Sequence, residues 1–346
     1  MSSTLAVSLL DLIPVRTDQT TAQAIGAARH LIQVAEKAGA RRYWVAEHHN
    51  TASVASTTPP VLIALLAAAT ERIRVGSGGV MLPNHAPLAV AEQFAVLEAA
   101  YPDRIDLGIG RAPGTDPVTS WALRQGASDE EIVTNFPNYV QQVRAFMAPG
   151  GARMQVGGRP FEISATPRAL STPPVWLLGS SDYSARLAAQ LGLPYVFAHH
   201  FSGHGTHEAL QLYRQGYAGD GDPQTFLTVN VVTADTEQEA WRLARPYQHQ
   251  MARLRTGSPL VELPTVEEAW SMQPQLADEA LARLSAGWLV GTPDQVAEQI
   301  TALATQFEVD EVMLHPIDGA YAADPADRSL QRERTVSALA QRLNPT

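Results

Sequence analysis

Eight short runs rich in Val, Ile and Leu recur along the chain and alternate with amphipathic or alanine-rich stretches. They are Leu5–Leu10, Arg42–Ala46, Ile73–Leu82, Ile105–Ile109, Pro174–Leu178, Tyr195–Ala198, Phe226–Thr233 and Glu311–His315. Their length and content predict buried strands. The stretches near Thr20–Ala38, Pro59–Ala69, Leu88–Ala99, Asp129–Met147, Thr206–Gly216 and Pro293–Gln306 predict helices, with another beginning near Asp182. Near-continuous apolar strands separated by helices indicate a parallel sheet covered on both faces. Eight such units predict an α/β chain of the (β/α)8 TIM-barrel type, a single domain over residues 1–346. A doubly wound open sheet is the alternative, but no G-x-G-x-x-G follows the first strand.

Two insertions interrupt the pattern. Residues 153–163 read as a hairpin turning at Gly157-Gly158. The polar, proline-broken stretch 237–287 reads as a set of short helices forming a lid over the active face.

Composition narrows the partners. The net charge is −10 with no basic block, which argues against nucleic acid and anionic membranes. The chain has no cysteine, which excludes thiolate catalysis, disulfides, Fe–S clusters and Cys-based zinc sites. The N-terminal Met1–Asp11 lacks a basic region, and no apolar run reaches the ~18 residues a membrane span needs. A soluble, cytoplasmic protein is the expectation.

In a barrel, chemistry sits at the C-terminal ends of the strands. The second strand ends Glu47-His48-His49-Asn50. Adjacent histidines on an extended chain point to opposite sides, so they rarely chelate one ion together. A metal site is not expected. One histidine can face the site while the other serves as a hydrogen-bonded plug. The third strand ends in Gly76-Ser77-Gly78-Gly79, read either as a bulge laid against a ring or as small residues required by an interior layer.

The fourth strand leads into Gly110-Arg111-Ala112-Pro113-Gly114, where an opened backbone and a planar guanidinium suit an anion. Gly179-Ser180-Ser181-Asp182 follows the fifth strand. Plain helix capping by Ser181 or Asp182 accounts for that segment alone. With Arg111 on a neighbouring strand end, a phosphate site is the better reading. His199 and His200 follow the sixth strand and can line a site, whereas His204 and His207 read as exposed.

These strand ends, in this order, resemble the bacterial luciferase-like family of flavin-dependent monooxygenases. The resemblance spans roughly residues 5–320 and includes Ser8-Leu9-Leu10-Asp11-Leu12. It implies a barrel binding FMN, or reduced FMN supplied by a partner flavin reductase. It also implies O2 chemistry through a C4a-peroxyflavin on a small organic substrate. The family's ring platform, often a non-prolyl cis peptide, falls on Gly78-Gly79. Its phosphate contacts fall on Arg111, Gly179, Ser180, Ser181 and Ser184. Its catalytic histidine falls on His48, which Glu47 is expected to orient, with Trp44, Phe201 and the 237–287 insert as pocket elements.

The luciferases carry a reactive Cys where this chain has Gly110, so light emission is not expected. F420-dependent hydride transfer and non-catalytic flavin binding are the alternatives. The family also implies a homodimer, for which the small-residue helices Ala64–Ala69 and Leu88–Ala99 are contact candidates.

Overall fold

The computed structural model describes residues 5–124, 129–273 and 275–344. Twelve strands occur among them. These are β1 (Ala6–Asp11), β2 (Arg42–Val45), β3 (Arg74–Ser77), β4 (Val80–Met81), β5 (Ile105–Gly110) and β6 (Ala152–Val156). The others are β7 (Arg159–Ile163), β8 (Val175–Gly179), β9 (Tyr195–Phe197), β10 (Thr225–Thr233), β11 (Leu289–Gly291) and β12 (Glu311–Pro316). The parallel order β1-β2-β3-β5-β8-β9-β10-β12 closes on itself through β12 and β1, giving the eight-stranded barrel. β4 resumes the line of β3 after Gly78-Gly79 and pairs with β5.

Strand alternation sorts the side chains. On β12, Val312 and Leu314 join the apolar layer between barrel and helices, while Met313 lies inside with Leu10, Trp44, Trp176 and Phe226. Glu311 and His315 share the inward face of Met313, one nearer each end of the barrel. At the N-terminal end an ion network closes the interior. Asp106 binds Arg42 at 3.1 Å and Arg74 at 2.7 Å, and Glu311 binds Arg42 at 2.7 Å. Ser8 donates to Glu311 at 2.6 Å and the Trp44 indole to Asp106 at 3.0 Å. Trp44 is thus a fully buried interior anchor rather than the pocket wall expected of it. A cavity of about 710 Å³ lies at this N-terminal end, lined in part by Arg41, Arg42, Trp176, Arg214 and Glu308. The expected catalytic and cofactor-binding residues lie at the other end.

The hairpin forms as expected, β6 antiparallel to β7, with positive φ at Gly157 and Gly158 supplying the turn. The 237–287 insert departs from expectation. Its first helix runs unbroken over Glu237–Thr256 and is followed by the shorter Val266–Ser271 and Asp278–Leu284. Pro246 lies inside the long helix, buried against Gly319, where even a Cβ would come within 2.7 Å of its ring. Packing overrides the break that proline signals in isolation. β11 adds to the edge of β10 outside the barrel, and a C-terminal helix, Leu330–Leu343, closes the chain; neither is anticipated by the apolar pattern. From that helix, Arg332 reaches Asp11 at 2.6 Å and the Pro316 carbonyl at 2.9 Å. No helix among the described residues is long and apolar enough to cross a membrane.

Candidate active site

β3 stops at Ser77, and the Gly78–Gly79 peptide bond is cis. The small-residue reading of this glycine run holds, and the strand breaks at the same place. The backbone is crowded: a Cβ on Gly79 would lie 2.9 Å from the Gly108 carbonyl, and one on Gly108 would lie 2.1 Å from the Ser77 carbonyl. Ser77 stitches the two strands by donating to Gly108 O at 2.8 Å and accepting its N–H at 3.0 Å. Close packing of the two backbones, with Leu10, Trp44 and Leu178 against them, requires glycine at these positions.

The Arg111 guanidinium stacks on Tyr183, 4.1 Å from the ring centroid. Arg111 is thereby brought to the start of the helix Asp182–Leu191. Ser181 holds the N-cap position in extended conformation, φ −146° and ψ 161°, yet its side chain makes no capping hydrogen bond. The first-turn N–H groups therefore keep their donor capacity, and the exposed hydroxyls of Ser180 and Ser181 stand beside them. Ser184 differs from expectation. It is buried, and its hydroxyl donates to Ser181 O at 2.9 Å within its own turn. Gly179 is crowded against it, since a Cβ there would lie 2.0 Å from Ser184 Oγ, and its carbonyl accepts from Ala198 N at 3.0 Å. Ser184 and Gly179 shape the turn, and Arg111, Ser180 and Ser181 remain to meet a ligand.

Glu47 does not orient His48. Its fully buried carboxylate accepts from His49 Nε2 and His85 Nε2, both at 2.8 Å, and from Met81 N at 3.0 Å. Burial pushes the Glu47 pKa up, but the bonds from His49 and His85, the His85 charge and the Met81 N–H outweigh it and bring the pKa down to about 2. The ligand atoms of Glu47, His49 and His85 lie within 4.8 Å of one another, close enough for an ion, but the hydrogen bonds engage the same atoms. Glu47 thus braces the segment just past the cis peptide. His85, at the end of the third-strand motif, was not singled out from sequence.

His48 faces the other way. Its Nδ1 lies 3.3 Å from the Gly114 carbonyl, which can only accept, so that nitrogen carries the proton and Nε2 is bare in the neutral ring. Burial holds its pKa below the ordinary range, against the pull of Gly114 and Glu47.

Farther across the barrel end lie His200 and His315, with ring centroids 5.8 Å apart. His315 Nδ1 meets Asn230 Oδ1 at 2.8 Å, and Tyr247 of the Glu237–Thr256 helix packs on the His315 ring at 5.7 Å. The insert therefore does reach the active end. Asn230, Tyr247 and His315 escaped the sequence reading because contacts distant in the chain assemble them. Phe201, expected as a pocket element, is 59% exposed at the rim, and His204 and His207 are exposed as expected.

The family model described as luciferase-like monooxygenase matches residues 5–310. This chain belongs to the luciferase-like monooxygenase family. A "Luciferase-like monooxygenase" of Escherichia coli strain K12 is 39% identical over 318 residues, covering 90% of this chain and 91% of the relative. The crystal structure of apo-MsnO8 superposes with a TM-score of 0.84 at 34% identity, over 99% of each chain. Two more distant structures share the luciferase-like fold. One is the oxygenating constituent of 3,6-diketocamphane monooxygenase of Pseudomonas putida in complex with FMN, with TM-score 0.73, 18% identity and 99% of each chain covered. The other is an F420-dependent secondary alcohol dehydrogenase with an F420-acetone adduct, with TM-score 0.68, 12% identity and 97% of each chain covered.

Proposed function

We propose that this luciferase-like protein is a cytoplasmic, FMN-dependent monooxygenase that uses reduced FMN, supplied by a flavin reductase, and O2 to oxidise a small organic substrate. The observation that carries the reading is the pairing of Arg111 with a helix N-terminus that lacks a side-chain cap. One guanidinium, one helix start and two hydroxyls suit a single phosphate, and the Gly78–Gly79 backbone suits the flat ring attached to it. The longer anionic tail of F420 would call for more cations, which favours FMN.

Bound flavin would supply the redox and oxygen chemistry. Arg111, Ser180 and Ser181 would hold the phosphate. His48, neutral at pH 7 with a bare Nε2, would accept a proton from the reacting groups. The Glu237–Thr256 helix, through Tyr247, would exclude water from the barrel end. Glu47 would act through the Met81 segment rather than on the reacting atoms. The helices Pro59–Ala67 and Pro87–Ala100 expose Val61, Leu65 and Val96, which supports a homodimer built on that face.

Titration of the protein with FMN and with F420, followed by O2 consumption with NADH and a flavin reductase, tests the reading. FMN binding in the micromolar range and substrate-dependent O2 uptake are expected. F420 binding without FMN binding would reverse the cofactor assignment.

A further inference from the structure

The barrel end carries a hydrogen-bond acceptor whose state is fixed by geometry. Asn230 Nδ2 donates to the His200 carbonyl at 2.9 Å. A carbonyl only accepts, so this contact sets which end of the amide is which and turns Oδ1 toward His315. Oδ1 in turn only accepts, so His315 Nδ1 must carry the proton of the 2.8 Å bond. The neutral ring then has a bare Nε2. That atom makes no hydrogen bond among the described residues, and His315 as a whole is 4% exposed. Inward alternation on β12 places it at the active end, above Met313.

Among the described residues, the groups facing His315 offer no uncommitted cation to an anionic ligand. His200 and His48 flank His315, and burial keeps all three rings neutral, with His200 brought down to about 4. The Arg332 guanidinium is already committed to Asp11 and the Pro316 carbonyl.

We propose that His315, held as the Nδ1–H form by Asn230, is a specificity-determining acceptor that selects an uncharged substrate bearing an O–H or N–H group and disfavours a carboxylate. This names a substrate class for the monooxygenase site and rests on that site being the substrate pocket. It does not depend on which flavin is bound. Left unpaired by a substrate lacking the donor, the buried acceptor costs affinity on the order of ten-fold.

The test uses phenol, anisole and benzoate as probes, measured by saturation-transfer NMR on the full chain with and without FMN. Long-range 1H–15N spectra of the same sample report the imidazole protons. Phenol should bind about ten-fold more tightly than anisole, and benzoate more weakly than either. His315→Phe should level phenol with anisole, and His315→Gln, which keeps an acceptor, should restore part of the difference. The spectra should show His315 protonated at Nδ1, and Asn230→Leu should release that preference. Equal binding of phenol and anisole, preferred binding of benzoate, no binding of any probe, or a His315 protonated at Nε2 would overturn the proposal. FMN titration of the same sample reports separately on the cofactor reading.

Discussion

Arg111 and Tyr183 come from different strand ends, yet the guanidinium of one lies 4.1 Å from the ring centroid of the other. Stacking holds the guanidinium plane against the start of the Asp182–Leu191 helix, and it leaves the N–H edge free to bond. On the proposed function the pair would form one half of an anion site, with Ser180, Ser181 and the helix N–H groups as the other half.

Arg111→Ala should therefore weaken FMN binding by about ten- to one hundred-fold, as expected for loss of a charge-assisted bond. Tyr183→Leu should weaken it less, because the charge stays while its orientation loosens. Flavin fluorescence quenching on titration measures both. Equal FMN affinity in Arg111→Ala and the parent would remove Arg111 from the site.

His48→Ala separates proton handling from cofactor binding. On the proposed mechanism, the bare Nε2 that the Gly114 contact implies serves turnover rather than phosphate binding. A fall in kcat of ~100-fold or more with FMN affinity unchanged within about two-fold is expected. Retention of full substrate-dependent O2 uptake would end the role.

The barrel was legible because eight apolar runs need a sheet buried on both faces. The juxtaposition of Arg111 with the Asp182–Leu191 helix start was legible because each segment is contiguous at a strand end. The Glu47 arrangement was half legible. Alternation along an extended segment puts Glu47 and His49 on one side and His48 on the other, which already argues against a Glu47–His48 pair. His85 joins only through the fold, 38 residues away. The His315–Asn230 bond spans 85 residues and the Arg332–Asp11 pair 321, so no local pattern announces either. The internal bond of Ser184 was not legible because capping chemistry and ligand chemistry use the same residue types at a helix start.

Glu47 makes a pH prediction of definite sign. Its folded pKa of about 2 lies below the ordinary glutamate value of 4.5, so it contributes stability that is present above pH ~4.5 and is lost as pH falls toward 2. The shift corresponds to a contribution on the order of 3 kcal/mol at pH 7. Glu47→Gln should lower the unfolding free energy at pH 7 by roughly that amount and make little difference near pH 2, where most of the charge-linked stability has been lost. Denaturant melts across pH measure it. A pH-independent difference would assign the loss to shape rather than charge.

Asp318 behaves in the opposite sense. Burial raises its pKa to about 7, only partly offset by the Thr335 hydroxyl at 2.7 Å, the Thr233 N–H at 3.3 Å and the charge of Arg332. Its second carboxylate oxygen is buried without a partner. Between the ordinary aspartate value of 3.8 and about 7, the folded state holds a proton that the unfolded state has released. Stability associated with the protonated acid is therefore complete below pH ~4 and declines as pH rises toward and through 7. Asp318→Asn, which stays neutral, should match the parent in Tm near pH 3.5 within about a degree and exceed it by a few degrees at pH 8. Thermal melts at the two pH values decide the matter. A variant less stable than the parent at pH 8 would mean that the carboxylate is ionised and satisfied in the folded protein.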